Sequence, residues 1–189
     1  MSRTWMGLVV VFGVAGGVNA ALAQPAEVVI IRHAEKPAEG NELSQQGRER
    51  AAALAPYFLE TAELLEFKPP VAIYAPLPNK EGSSIRSAQT VAPLATMLHL
   101  TISEPFHKDQ TTQLAQEILN NRRYDGRMVL ICWDHKLIPE IAKAFGIQNA
   151  PEKWKGEVYD RCWVIKFPAG GNPTFQNLLQ RLMFGDSPK

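Results

Sequence analysis

Two short runs of the sequence place a histidine just past an apolar, strand-like stretch. Arg32-His33 follows the run 27–31 (EVVII), and Asp134-His135 follows the run 128–133 (MVLICW). Between them, Arg86 lies near the start of a helical pattern. A neutral imidazole is a competent nucleophile near pH 7, whereas a serine hydroxyl needs a base to activate it. An arginine offers a fork of N–H donors that matches phosphoryl oxygens, which a lysine ammonium does not. Phosphoryl transfer needs both kinds of group: an in-line nucleophile, and positive charge around the equatorial oxygens. The residues therefore point to His33 as nucleophile, one ring nitrogen being held by a backbone carbonyl so that the other is free to attack. Arg32, Arg86 and His135 supply the phosphate-binding donors. His135 is expected at a helix N-terminus, where the backbone already favours an anion. None of the usual metal-ligand spacings occurs, so the expected chemistry uses neither metal nor cofactor.

The leaving group also needs a proton. Asp134 is the favoured acid, ahead of Glu35, two residues past the nucleophile, and Glu104, after a short strand pattern. An aspartate before a helix is also an ordinary N-cap, so Asp134 has a purely structural reading beside the chemical one. His99 and His107 have no comparable context and read as structural. Trp133, Trp154 and Trp163 read as core or rim packing.

Such residues meet only if the fold brings three loops to one rim. Strand and helix signals alternate along the chain, which argues for an α/β fold. The runs 27–31, 71–75, 100–103, 128–133 and 159–167 read as strands, the first and fourth continuous enough for buried parallel strands. Helices are expected over 44–58, 85–98, 111–121 and 138–145, with a short terminal one over 175–183. Ser44 and Asp109 are candidate N-caps, and Gly146 a helix stop. The apolar stripe of the first helix is read as Ala52, Leu54, Ala55 and Phe58. In open α/β sheets, ligands bind beyond the carboxyl ends of the strands, which is where Arg32-His33 and Asp134-His135 fall.

Four landmarks in order resemble the histidine phosphatase superfamily, the phosphoglycerate mutase-like family. They are Ile31-Arg32-His33-Ala34, Leu43-Ser44-Gln45-Gln46-Gly47, Arg86-Ser87-Ala88-Gln89-Thr90 and Cys132-Trp133-Asp134-His135. The resemblance implies one three-layer α/β/α domain with a mostly parallel central sheet, a phosphohistidine intermediate at His33, and Arg32, Arg86 and His135 around the phosphate. The chain departs from the family pattern at Ala75-Pro76, at an extended loop over 77–84, and at Lys136 after the second histidine. These changes lie near the mouth of the expected site and bear on substrate identity. A phosphomutase, or a phosphate-ligand-binding module without catalysis, are the alternatives to a phosphatase.

Composition bounds the rest. The 189 residues carry a net charge of +1, so nothing points to nucleic acid; the expected partner is a small phosphorylated substrate or a phosphoprotein. Residues 1–23 read as a signal peptide: Arg3, an apolar run over 6–14, then Ala21-Leu22-Ala23 as the small-x-small cleavage pattern. The expected folded part is 24–189, exported to the periplasm or secreted. No later run approaches a membrane span, so no stable membrane insertion is expected after processing. Cys132 and Cys162 match no metal motif and are expected as buried free thiols.

Overall fold

The computed structural model describes residues 24–80 and 83–187. The expected leader, 1–23, lies outside the described residues. Strand β1 (Glu27–Arg32) is buried at all six positions, as its unbroken apolar run requires. It lies at the centre of a six-stranded sheet with β2 (Ala72–Tyr74), β3 (Ile102–Ser103), β4 (Met128–Trp133), β5 (Arg161–Lys166) and β6 (Thr174–Leu179). The strand order is β3-β2-β4-β1-β5-β6. The pairs β1–β4, β2–β4 and β2–β3 are parallel, and β5 and β6 continue the sheet antiparallel.

Strand alternation divides the core into two layers. Val29, Ile31, Leu130 and Cys132 face Leu54 and Phe58 of α1 (Gln45–Glu60) and Val91 and Leu94 of α2 (Arg86–Met97). Val28, Ile30, Ile131 and Trp133 face Leu114 and Ile118 of α3 (Thr111–Asn120) and Ile138 and Ile141 of α4 (Ile138–Ala144). The helices thus cover both faces of a mostly parallel sheet, giving the expected three-layer α/β/α domain. Truncating a filler such as Phe58, which is wholly buried, would cost about 3–5 kcal/mol.

Ser44 caps α1 by accepting from the Gly47 amide at 3.1 Å, and Gly146 follows α4 at a φ of 89°. Four local expectations are corrected. The terminal helix over 175–183 is instead β6, whose inward Phe175 packs on Trp163 of β5, so tertiary pairing overrides a short helical pattern. Asp109 does not cap α3; Gln110 occupies that position without a side-chain cap. Ala52 is exposed, and Ala51 takes its place in the buried stripe. His135 does not start a helix: a turn over 134–137 intervenes, and α4 begins at Ile138. Cys132 and Cys162 are free and buried. Both pair with Ile31 from opposite sides of β1, which sets them two strand spacings, roughly 9–10 Å, apart. That separation exceeds the reach of a disulfide.

Candidate active site

The site forms because parallel β1 and β4 run in register, Arg32 opposite Trp133. Arg32-His33 and Asp134-His135 therefore leave the sheet side by side, and His33 N extends the ladder by donating to Trp133 O at 3.2 Å. Alternation then sorts the four side chains. Carried one step beyond the strands, it places His33 and Asp134 on the α2 side, and Arg32 and His135 on the side of the loop over 154–159.

On the α2 side is a cleft of about 300 Å³, which His33, Arg86, Ser87, Lys108 and Asp134 help to line. The loop over 76–79 and Ser83-Ser84 form the remainder of its wall. His33 is 7% exposed, and its Nδ1 lies 2.7 Å from Ala34 O, so Nδ1 carries the proton and Nε2 is the nitrogen left for chemistry. Burial holds the His33 pKa down to about 4, with Arg32 and Arg86 adding to the effect against the backbone carbonyl and Asp134. The imidazole is therefore neutral across the physiological range. Arg86 Nε donates to Glu42 O at 3.0 Å and its Nη2 to Gly40 O, which braces the guanidinium at the cleft wall.

On the other side, Arg32 donates from Nη1 to Gly156 O and, at 3.0 Å, to Val158 O. Tyr159 stacks 3.7 Å from the guanidinium carbon. Arg32 is 2% exposed and burial lowers its pKa. A side chain at position 156 would sit 3.6 Å from His135 Nε2, so this loop lies against the second histidine as well. His135 Nδ1 is 3.3 Å from Asp134 Oδ1, without the alignment of a hydrogen bond. Burial, then Arg32, lowers the His135 pKa. Arg32 Nε and His135 Nδ1 are buried atoms with no hydrogen-bond partner among the described residues.

The three acid candidates separate cleanly. Asp134 lines the cleft, and its Oδ1 also accepts from the Lys136 amide at 3.0 Å. Glu35 is turned away to Arg50, which binds its Oε1 from Nη2 at 2.8 Å and from Nε at 2.9 Å. Glu104 is not part of the cleft wall; burial raises its pKa.

Several residues position the loop after the nucleophile through contacts that the sequence did not announce. Thr90 Oγ1 accepts from the Ala34 amide at 2.8 Å, and Gln89 Oε1 accepts from the Leu43 amide at 2.9 Å. With Arg86 they occupy i, i+3 and i+4 of α2, one helix face gripping the loop that follows the nucleophile. Ser44 N donates to Glu35 O at 2.9 Å, and a Cβ at Gly47 would lie 2.3 Å from that same oxygen. Only glycine permits this approach of α1 to the loop. Lys108, at the cleft wall, had no sequence signal beyond its charge.

No family model matches the sequence, and no curated protein matches it in sequence. Solved structures match it in fold. A mycobacterial glucosyl-3-phosphoglycerate phosphatase is 13% identical, with a TM-score of 0.52 over 82% of this chain and 97% of that one. The protein histidine phosphatase SixA, in complex with tungstate, is 14% identical, with a TM-score of 0.52 over 82% and 97%. A phosphoglycerate mutase from Bacillus anthracis is 12% identical, with a TM-score of 0.52 over 84% and 94%. The domain shares its fold with these two phosphatases and this mutase. Within that fold its structural neighbours include both phosphatases and phosphomutases.

Proposed function

We propose that this protein is an exported phosphatase that hydrolyses a phosphomonoester through a phosphohistidine intermediate at His33. The observation that carries the reading is the placement of His33: its ring is buried, its Nδ1 lies 2.7 Å from Ala34 O, and it lines a cleft that Arg86 shares. Nε2 attacks phosphorus in line, and the bond to the leaving oxygen breaks as Asp134 delivers a proton to it. Water then attacks phosphorus and gives a proton to the Asp134 carboxylate as the Nε2–P bond breaks, releasing inorganic phosphate and restoring both neutral His33 and the acid. Arg86 balances charge on the equatorial oxygens from the α2 side, and Arg32 and His135 add donors from the other side of the same strand ends. The cleft volume favours a small phosphorylated substrate, a phosphoprotein side chain presented at its mouth being the competing class. Positive charge comes from the protein, so a chelator leaves the rate unchanged.

The test is turnover of p-nitrophenyl phosphate by the purified chain from Gln24 onward. The wild type is expected to turn over, and to hold labelled phosphate after an alkaline quench. His33→Ala is expected to do neither while keeping its fold. Full activity in His33→Ala would overturn the mechanism. Export rests on the leader pattern of residues 1–23. Protein isolated from the native host should begin within a residue or two of Gln24 and lie outside the cytoplasm; an intact Met1 on cytoplasmic protein would refute export.

A further inference from the structure

Arg50 is a charged residue on the buried face of α1, 2% exposed. It is seventeen residues past His33 in sequence and touches no part of the cleft wall, yet all its donors are engaged. Nε and Nη2 fork onto Glu35, at 2.8–3.1 Å. Nη1 and Nη2 fork onto Asp186, at 3.0 and 2.5 Å, and Nη1 also donates to Gln180 Oε1 at 3.5 Å. Asp186 belongs to the segment that follows β6. Its Oδ2 also accepts from the Leu182 and Met183 amides, at 2.9 Å each, closing that segment into a compact turn. The turn is tied down again where Ser187 N donates to Asp160 Oδ2, and where Gln180 N donates to Asp160 O. One guanidinium thus joins the C-terminal segment to the loop that carries the nucleophile.

What Glu35 does makes this consequential. The Ala34 carbonyl is the acceptor that holds His33 Nδ1, and its direction is set by the peptide joining Ala34 to Glu35. The Ala34 amide is fixed by Thr90 and the Glu35 carbonyl by Ser44. The Glu35 side chain is fixed by Arg50 alone among the hydrogen-bond partners of the described residues. Release of that fork would leave the Ala34–Glu35 peptide held only through its flanking backbone groups, by Thr90 and Ser44, and is expected to loosen the direction of the Ala34 carbonyl. We propose that Arg50, held in place by Asp186 of the C-terminal segment, is a positioning residue that fixes the tautomer and orientation of His33. The role in turnover rests on the function proposed above; the effect on the imidazole does not.

The experiment compares wild type with Asp186→Asn and Arg50→Lys by two readouts. The first is kinetic, on p-nitrophenyl phosphate. Arg50 and Asp186 do not line the cleft, so KM should stay within about twofold, while kcat falls roughly 10-fold in Asp186→Asn and roughly 100-fold in Arg50→Lys, the range for lost support of a reacting group. Asp186→Glu should recover part of the kcat loss. The second is the ¹⁵N spectrum of the His33 ring in the free protein. Wild type should show one tautomer, with the proton on Nδ1, and the variants a mixture. If Arg50→Lys does not fold, Asp186→Asn, which keeps the acceptor for Leu182 and Met183, carries the test. Unchanged kcat, or a rise in KM alone, with an unchanged ring spectrum would overturn the proposal. If the wild type hydrolyses nothing, the functional reading fails, and the ring spectrum still decides whether Arg50 positions His33.

Discussion

At the scale of single residues, the sharpest question concerns Asp134, because one carboxylate has two visible duties. It faces the cleft beside His33, and it accepts from the Lys136 amide in the turn after β4. A general acid matters when the departing alkoxide is strongly basic and little when it is a stabilised phenolate. If Asp134 protonates the leaving group, Asp134→Asn should slow an alkyl phosphate by roughly 10²–10⁴-fold and barely change p-nitrophenyl phosphate. Equal losses on both substrates would instead mean that it orients His135 or holds the turn. Glu35, its rival in sequence, is committed to Arg50, so Glu35→Gln should not reproduce that substrate-dependent pattern.

At the scale of elements, the legible and the hidden parts of the site have different physical causes. The strands carrying His33 and His135 were readable because a parallel strand buried on both faces leaves an unbroken apolar run in the sequence. The register of β1 on β4 was not readable, and it decides which residues share the cleft. Arg32 and His33 are neighbours in sequence, yet alternation sends one to the 154–159 loop and the other to the cleft. The two sides still adjoin beyond the strand ends: the His33 ring lies 6.3 Å from that of Tyr159, and His135 Nδ1 lies 3.3 Å from Asp134 Oδ1. The loop that holds Arg32, with Tyr159 stacked on it, carried no chemical pattern to announce itself. Arg50 did leave a trace: a charge on a stripe otherwise made of Gly47, Ala51, Leu54, Ala55 and Phe58 needs a buried partner. β6 was misread because its exposed edge is polar, and its pairing with β5 is a long-range fact that a six-residue window does not contain.

At the scale of the whole molecule, stability and chemistry are anchored at opposite ends of β1. Arg32 ends the strand at the site, while Glu27 begins it roughly 16 Å away. Glu27 is fully buried, and neither of its carboxylate oxygens has a hydrogen-bond partner among the described residues. Its register partner Lys166 holds Nζ 4.0 Å from Oε2 and is shared with Glu66. Burial pushes the Glu27 pKa up to about 7, against the pull of Lys166. The folded value lies above the unfolded one, so the native state binds the extra proton. The contribution of Glu27 to stability is then intact below about pH 4.5 and is lost as pH rises toward 7, by roughly 3 kcal/mol if the whole shift is realised. Glu27→Gln removes the titrating charge at nearly constant shape, and Lys166 keeps Glu66. Urea unfolding should therefore find the variant more stable than wild type by about 1–3 kcal/mol at pH 8, and nearly equal to it at pH 4, where the carboxyl is mostly protonated in both the native and the unfolded chain. Its kcat at pH 8 should match wild type, since nothing in the cleft touches Glu27. A variant destabilised at pH 8, or shifted equally at both pH values, would show that the carboxylate is held as a charged partner of Lys166 and that burial does not set its protonation.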